Sequence, residues 1–360
     1  MSLTKTSLVG FLTLVMVGCG SGVPADTSAP ASAAASTPVQ ASDGQLSAKE
    51  IISVPLSQNT VETVAFSPDG KHVAIGAADG TVAVYPLEPT DVNDVPRFQK
   101  IHATFVTSLA WAPTGNQVLS AATDGSVRVW DANTFAVSQR FNADPVTHPA
   151  AVWSPDGQNV ALAQGRDSIE IWPTSGQTGP TDTFSLPGIT QALLWSPGTD
   201  VIVASNDQGQ VAFFQRGSSN PIRTYKPEAS HKAVSSLSLS PTASLLAVGY
   251  EDGSIILLDP STAKPVREFP KGQNIGSLAW APNGKVLAAT SMEFAVTFWD
   301  PMGSKLSKID IGYDMNGVSW SPDGRYVASG SDDHTLKVWA ISPPQTPERL
   351  TGTAPSYMRR

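Results

Sequence analysis

One cysteine, Cys19, occurs among 360 residues. No disulfide can form within the chain, and no thiolate cluster can hold a metal. Charge is also sparse. Asp, Glu, Lys and Arg make up 15% of the residues, and 31 acidic side chains against 23 basic ones leave a formal net charge of −8. A duplex nucleic-acid partner is disfavoured, because that affinity depends on Lys and Arg neutralising phosphates. Arg359-Arg360 is only a chain end. The apolar run Leu8 to Val17 is too short to cross a bilayer as a helix. Catalytic signatures are missing as well: there is no Gly-x-Ser-x-Gly elbow, no phosphate-cradling Gly-Lys-Ser/Thr and no His-Glu-x-x-His. The histidines His72, His102, His148, His231 and His334 stand apart at no metal-ligand spacing, and no cofactor signature accompanies them.

What the chain has is repetition. Seven times a large apolar residue precedes an Ala/Ser-Pro pair and is followed nineteen positions later by a second one. The first column is Phe66, Trp111, Trp153, Trp195, Leu239, Trp280 and Trp320; the second is Tyr85, Trp130, Trp172, Phe214, Leu258, Trp299 and Trp339. All nine Trp fall in these columns, which assigns them to packing rather than to a stacking platform for sugars. Successive units are 40 to 45 residues apart, so length varies only outside the nineteen-residue stretch.

Within a unit, short apolar segments alternate with turn chemistry. Val318-Ser319-Trp320 leads to Ser321-Pro322-Asp323-Gly324, in which Pro presets φ and Gly accepts a positive φ. Tyr326-Val327-Ala328-Ser329, the turn Asp332-Asp333-His334 and Leu336-Lys337-Val338-Trp339 follow. A fourth strand fits the variable part, as at 136–141. Four strands per unit of about forty residues predict an all-β fold, a seven-bladed β-propeller of four-stranded antiparallel blades over residues 48–342. A lone blade cannot bury both faces, so the ring must close. Ile51-Ile52-Ser53-Val54 is the expected donor of the outer strand that the last blade lacks. The tail near Glu348-Arg349-Leu350 ranks lower, because Pro343, Pro344 and Pro347 remove ladder donors.

These residues resemble the WD-repeat proteins. Trp130-Asp131 and Trp299-Asp300 match the family's dipeptide, and the unit from Trp320 to Trp339 matches its pattern nearly throughout. The resemblance implies a structural hydrogen-bonded set, complete only in the second unit as His102, Ser120, Asp124 and Trp130. Asp79, Asp252 and Asp333 keep the turn carboxylate, whereas Arg166, Gln208 and Glu293 replace it, which puts rigidity from that set in question in units three, four and six.

The amino-terminal part reads separately. Lys5, the apolar run and Met16-Val17-Gly18-Cys19 resemble the signal sequence and lipobox of bacterial lipoproteins. That resemblance implies a signal peptide over 1–18, lipidation at Cys19 and an anchor on the extracytoplasmic side of a membrane in the cell envelope. Gly20 offers no Asp-type inner-membrane retention signal, so the outer membrane or cell surface is favoured over the inner membrane. Residues 19–47, nearly all Ala, Ser, Thr, Pro and Gly, read as a linker that cannot build a core, and 343–360 as a tail.

The expected function is a non-catalytic scaffold: a monomeric propeller presenting a face to other proteins, with the lipid anchor as its membrane contact. The alternative is an extracytoplasmic enzyme or small-ligand receptor using the channel mouth. In the family pattern the loops leading into first strands and the turns between second and third strands share one face. There the departures from consensus are Arg166, Asp167, Gln208, Met292, Glu293 and Phe294, and the loop Tyr313, Asp314, Met315 and Asn316. Aromatic and Met side chains in polar loops are the kind that anchor partners.

Overall fold

The computed structural model describes residues 46–55, 59–88, 95–143, 145, 150–175, 179–227, 231, 233–313 and 315–342. The expected signal peptide, Cys19, the linker apart from its last two residues, the tail, His148 and Asp314 lie outside the described residues. Met315 is described only as backbone in a strand.

Each unit forms one four-stranded antiparallel sheet. In blade 1 the strands Val61–Phe66, His72–Ala77, Thr81–Pro86 and Arg97–Lys100 run in that order from the channel outward. Blades 2 to 6 repeat the plan, and their first strands stand side by side around a central channel. Burial follows position. The second strand His72–Ala77 is buried almost throughout because a blade covers each face, whereas the outermost Arg97–Lys100 is mostly exposed.

Apolar side chains collect in seven separate clusters, each shared by two consecutive blades. Blade 7 and blade 1 share one of them, in which Leu336 and Val338 meet Val61, Ile75 and Tyr85. The two sequence columns are the centre of this packing: Trp130, Phe214 and Leu258 are fully buried, and no column residue is exposed. First-column indoles also link blades. Trp111 Nε1 donates to the Ala65 carbonyl at 2.9 Å, Trp153 to Ala110 at 3.1 Å and Trp320 to Ala279 at 3.1 Å.

The ring closes as the sequence suggested. Strand Ser47–Pro55 pairs antiparallel with Thr335–Ser342, from Ser47 opposite Ser342 to Pro55 opposite Thr335, and completes the seventh sheet. Leu46, Ala48, Ile52 and Val54 enter the two clusters that flank blade 7. On the face bearing the Ser-Pro-Asp-Gly turns, neighbouring turns nest. Gly70 sits beside Pro322, Gly115 beside Pro68, Gly157 beside Pro113 and Gly324 beside Pro282. Blades 7 and 1 thus meet through the same contact as interior pairs.

Candidate functional site

The opposite face carries the loops leading into first strands and the turns between second and third strands. In blade 2 this region is built around the structural set. Trp130 Nε1 donates to Ser120 Oγ at 3.0 Å, and His102 Nε2 lies 2.7 Å from the same hydroxyl. His102 Nδ1 lies 2.6 Å from Ser126 Oγ, and Asp124 accepts from the Ser126 and Ala103 amides at 2.9 and 3.3 Å. Asp124 thus joins the imidazole through Ser126 and not by a bond of its own. Burial, with Arg128 nearby, pushes the imidazole down to about 4, so it is neutral at physiological pH.

Other blades use substitutes. Where blade 3 lacks the Ser, Trp172 Nε1 donates to Glu170 at 2.9 Å. In blade 4 the buried Asn206 donates to the Pro187 carbonyl at 2.6 Å and accepts from the Gln208 and Gln210 amides. Gln208 therefore leaves capping to Asn206 and is itself exposed. In blade 5 Asp252 lies 2.9 Å from Lys271 Nζ and 3.3 Å from His231 Nδ1. Burial opposes ionisation of its carboxyl, but the hydrogen bonds from Lys271 and Ser254 outweigh that and hold it at about 2. In blade 7 Ser329 Oγ instead donates to the Gly317 carbonyl at 2.6 Å, and buried Trp339 Nε1 has no partner among the described residues.

The channel opens on this face as a cavity of about 520 Å³, lined by first strands from all seven blades. Its ionisable lining among the described residues is Glu62, Glu251 and Asp332, all carboxylates. Burial, reinforced by Asp332, raises the Glu62 carboxyl from 4.5 to about 7. Asn316 Nδ2 donates to the Val61 carbonyl and to Asp332 Oδ1, both at 3.0 Å, which ties blade 7 to blade 1 at the mouth. Among the described residues no group of three or more His, Cys, Asp or Glu side chains is placed to hold a metal.

Blade 6 presents apolar groups beside that mouth. Met292 lines the channel and is 53% exposed, Phe294 is 48% exposed and Tyr313 is 53% exposed. The Ile311 amide donates to the Phe294 carbonyl at 2.9 Å, which brings the Tyr313 loop against the Phe294 turn. Glu293 lies 3.6 Å from Lys308 Nζ, which also pairs with Asp310 at 2.8 Å. Phe294 has a φ of 57°, a left-handed conformation uncommon for a bulky residue. The equivalent position in blade 5 is Gly253, where a Cβ would stand 2.1 Å from the Gly272 carbonyl oxygen. Met292, Glu293, Phe294 and Tyr313 therefore form one patch. Arg166 and Asp167 lie exposed in blade 3, Asp167 accepting the Gly188 amide at 2.8 Å, and with Gln208 they form a separate part of the rim.

The family described as WD domain, G-beta repeat, matches residues 50–85, 96–131, 263–300 and 307–340. The Anaphase-promoting complex subunit 4 WD40 domain matches residues 193–281. The chain is a WD40-repeat β-propeller protein. Among curated proteins it is 31% identical over 123 residues to the human U3 small nucleolar RNA-associated protein 4 homolog, and to the mouse protein of that name at the same identity and length. The match covers 33% of this chain and 18% of each relative. WD40 propellers are usually non-catalytic and bind other proteins.

Residue patterns alone did not single out Glu62, Glu251 or Asp332 in this WD40 ring. Glu62 lies near the start of the first strand of blade 1 and Glu251 and Asp332 sit in turns, and only ring closure brings them to one opening. The available signal was position. Glu62 and Asn316 occupy corresponding places ahead of Phe66 and Trp320, and Glu251 and Asp332 corresponding places in the second-to-third-strand turns.

Proposed function

We propose that this WD40 propeller is a non-catalytic protein-interaction scaffold, with its partner surface on the channel face at blades 6 and 7. The reading rests on the exposed cluster of Met292, Phe294 and Tyr313 beside the channel, since exposed apolar groups gathered on one rim mark contact surfaces. The scaffold is held at a membrane of a bacterial envelope, on the extracytoplasmic side, by lipid on Cys19. That part is supported by the apolar run Leu8 to Val17 and the Gly18-Cys19 pair. The association with a small nucleolar RNA that the relatives' name states is not carried over, because a net charge of −8 disfavours phosphate binding.

Two measurements test the two halves. A photo-crosslinking amino acid at Phe294 or Tyr313 should give a protein adduct in cells, and the same group at Gln139 in blade 2 should not. Equal adducts at all three positions would sink the choice of face. Replacing Cys19→Ser should move the protein from the detergent phase to the aqueous phase, and unchanged partitioning would refute the anchor. A small-ligand receptor or enzyme is the second reading, favoured by Glu62, a carboxyl near neutrality in a cavity of about 520 Å³. Under that reading Glu62→Gln abolishes activity or ligand binding without changing crosslinks from Phe294.

A further inference from the structure

The chemistry of the partner can be narrowed by where charge and apolar surface lie around the mouth. Proceeding round the ring, Glu251 comes from the blade 5 turn, Met292 and Phe294 from the blade 6 turn, and Tyr313 from the loop into blade 7. Asp332 follows from the blade 7 turn and Glu62 from the start of blade 1. The apolar patch is thus bracketed by carboxylates along one arc of four consecutive blades. No Lys, Arg or His among the described residues lines the channel to balance them.

We propose that this arc receives a protein segment bearing a Lys or Arg side chain close to a large apolar one, the apolar group resting on Met292, Phe294 and Tyr313 and the cation entering the channel toward Glu62, Glu251 and Asp332. This assignment rests on the scaffold reading above and specifies the partner's chemistry. A cleft lined by one sign of charge between low-dielectric walls focuses its field and draws in the opposite charge. Glu62 is already partly stripped of water in the free protein, so a cation beside it relieves a cost that the fold has already incurred. Long basic side chains suit such an opening, because their methylene stems cover apolar surface while the charged head stays in the wet channel. Phe294 adds a separate indication. Its backbone is held in a left-handed conformation that strains any residue but glycine, at a position where blades 1, 2, 4 and 5 place Gly80, Gly125, Gly209 and Gly253.

The test is a selection of random peptides displayed on phage against the full chain, followed by anisotropy titration of the labelled winners. The expected winners carry Lys or Arg within a few positions of Leu, Ile, Phe, Tyr, Trp or Met, and bind more weakly as ionic strength rises. Their affinity should fall about tenfold or more in the double variant Glu62→Gln, Asp332→Asn, and comparably in Phe294→Gly. Should the double variant melt early, Glu251→Gln, on an exposed turn, replaces it. Winners without cations that still lose affinity in Phe294→Gly would overturn the charge assignment and leave the scaffold face standing. Winners indifferent to every variant would overturn both. Acidic winners, or no enrichment over an unrelated protein, would overturn the proposal outright.

Discussion

Replacing Glu62→Gln should change how stability depends on pH. In the folded chain the carboxyl is held at about 7 against an ordinary value of 4.5. Folding therefore raises its proton affinity, and the folded state binds more protons than the unfolded state between those values. Stability contributed by this group is intact below 4.5 and is lost as pH rises through 7. At 1.36 kcal/mol for each tenfold change the full loss is about 3 kcal/mol, and water in the channel screens it to about 1–2 kcal/mol. The amide cannot ionise and escapes the loss. Carboxyls held low by hydrogen bonds, such as those of Asp252 and Asp323, push the other way in acid but are common to both proteins and cancel in the difference. Urea unfolding should show the variant about 1–2 kcal/mol more stable than the parent near pH 8 and equal to it near pH 4.5. A difference that does not vary with pH would refute the reasoning, because it would mean that packing and not ionisation separates the two.

Three further outcomes follow from the blades. Ser120→Ala removes the hydroxyl shared by Trp130 and His102 and strands two buried polar atoms, so unfolding free energy should fall by about 2–4 kcal/mol in a urea titration. Ile311 takes in blade 7 the place of His102, since its amide bonds the Phe294 carbonyl as the His102 amide bonds that of Gly80; Ile311→His should raise stability by about 1 kcal/mol through Ser329 and Trp339, and a lower melting temperature would count against the equivalence. Deleting residues 48–56 removes most of the strand that completes blade 7 and should lower the melting temperature sharply, while an unchanged melt would show that closure does not depend on it.

The architecture was readable because one spacing does the same physical work seven times. Trp111 and Trp130, or Trp320 and Trp339, are large enough to fill an inter-blade cluster, and Pro with Gly at fixed offsets sets the turns between strands. The closing strand was readable because the short apolar segment Ile51-Ile52-Ser53-Val54 stands just ahead of the first unit, where the last blade lacks an outer strand. Local polar networks were less so. Glu170 and Asn206 replace the consensus set through side-chain geometry that no spacing reveals, and in blade 2 Ser126 stands between His102 and Asp124. Of the candidate partner residues, Met292, Glu293, Phe294 and Tyr313 converge because blade 6 and the loop after it are bonded together, while Arg166, Asp167 and Gln208 remain apart on blades 3 and 4. The channel carboxylates escaped notice because residues as distant in sequence as Glu62 and Asp332 become neighbours only when the ring shuts.

The seam between the amino-terminal strand and blade 7 has a mechanical consequence. Because Ser47 faces Ser342 and the two strands run in opposite directions, both ends of the ring leave from the same corner of one sheet. A load pulling those ends apart would unzip the ladder rung by rung and would not shear all its hydrogen bonds at once. The ring would then yield first at that latch, at low force, with the six other sheets still intact.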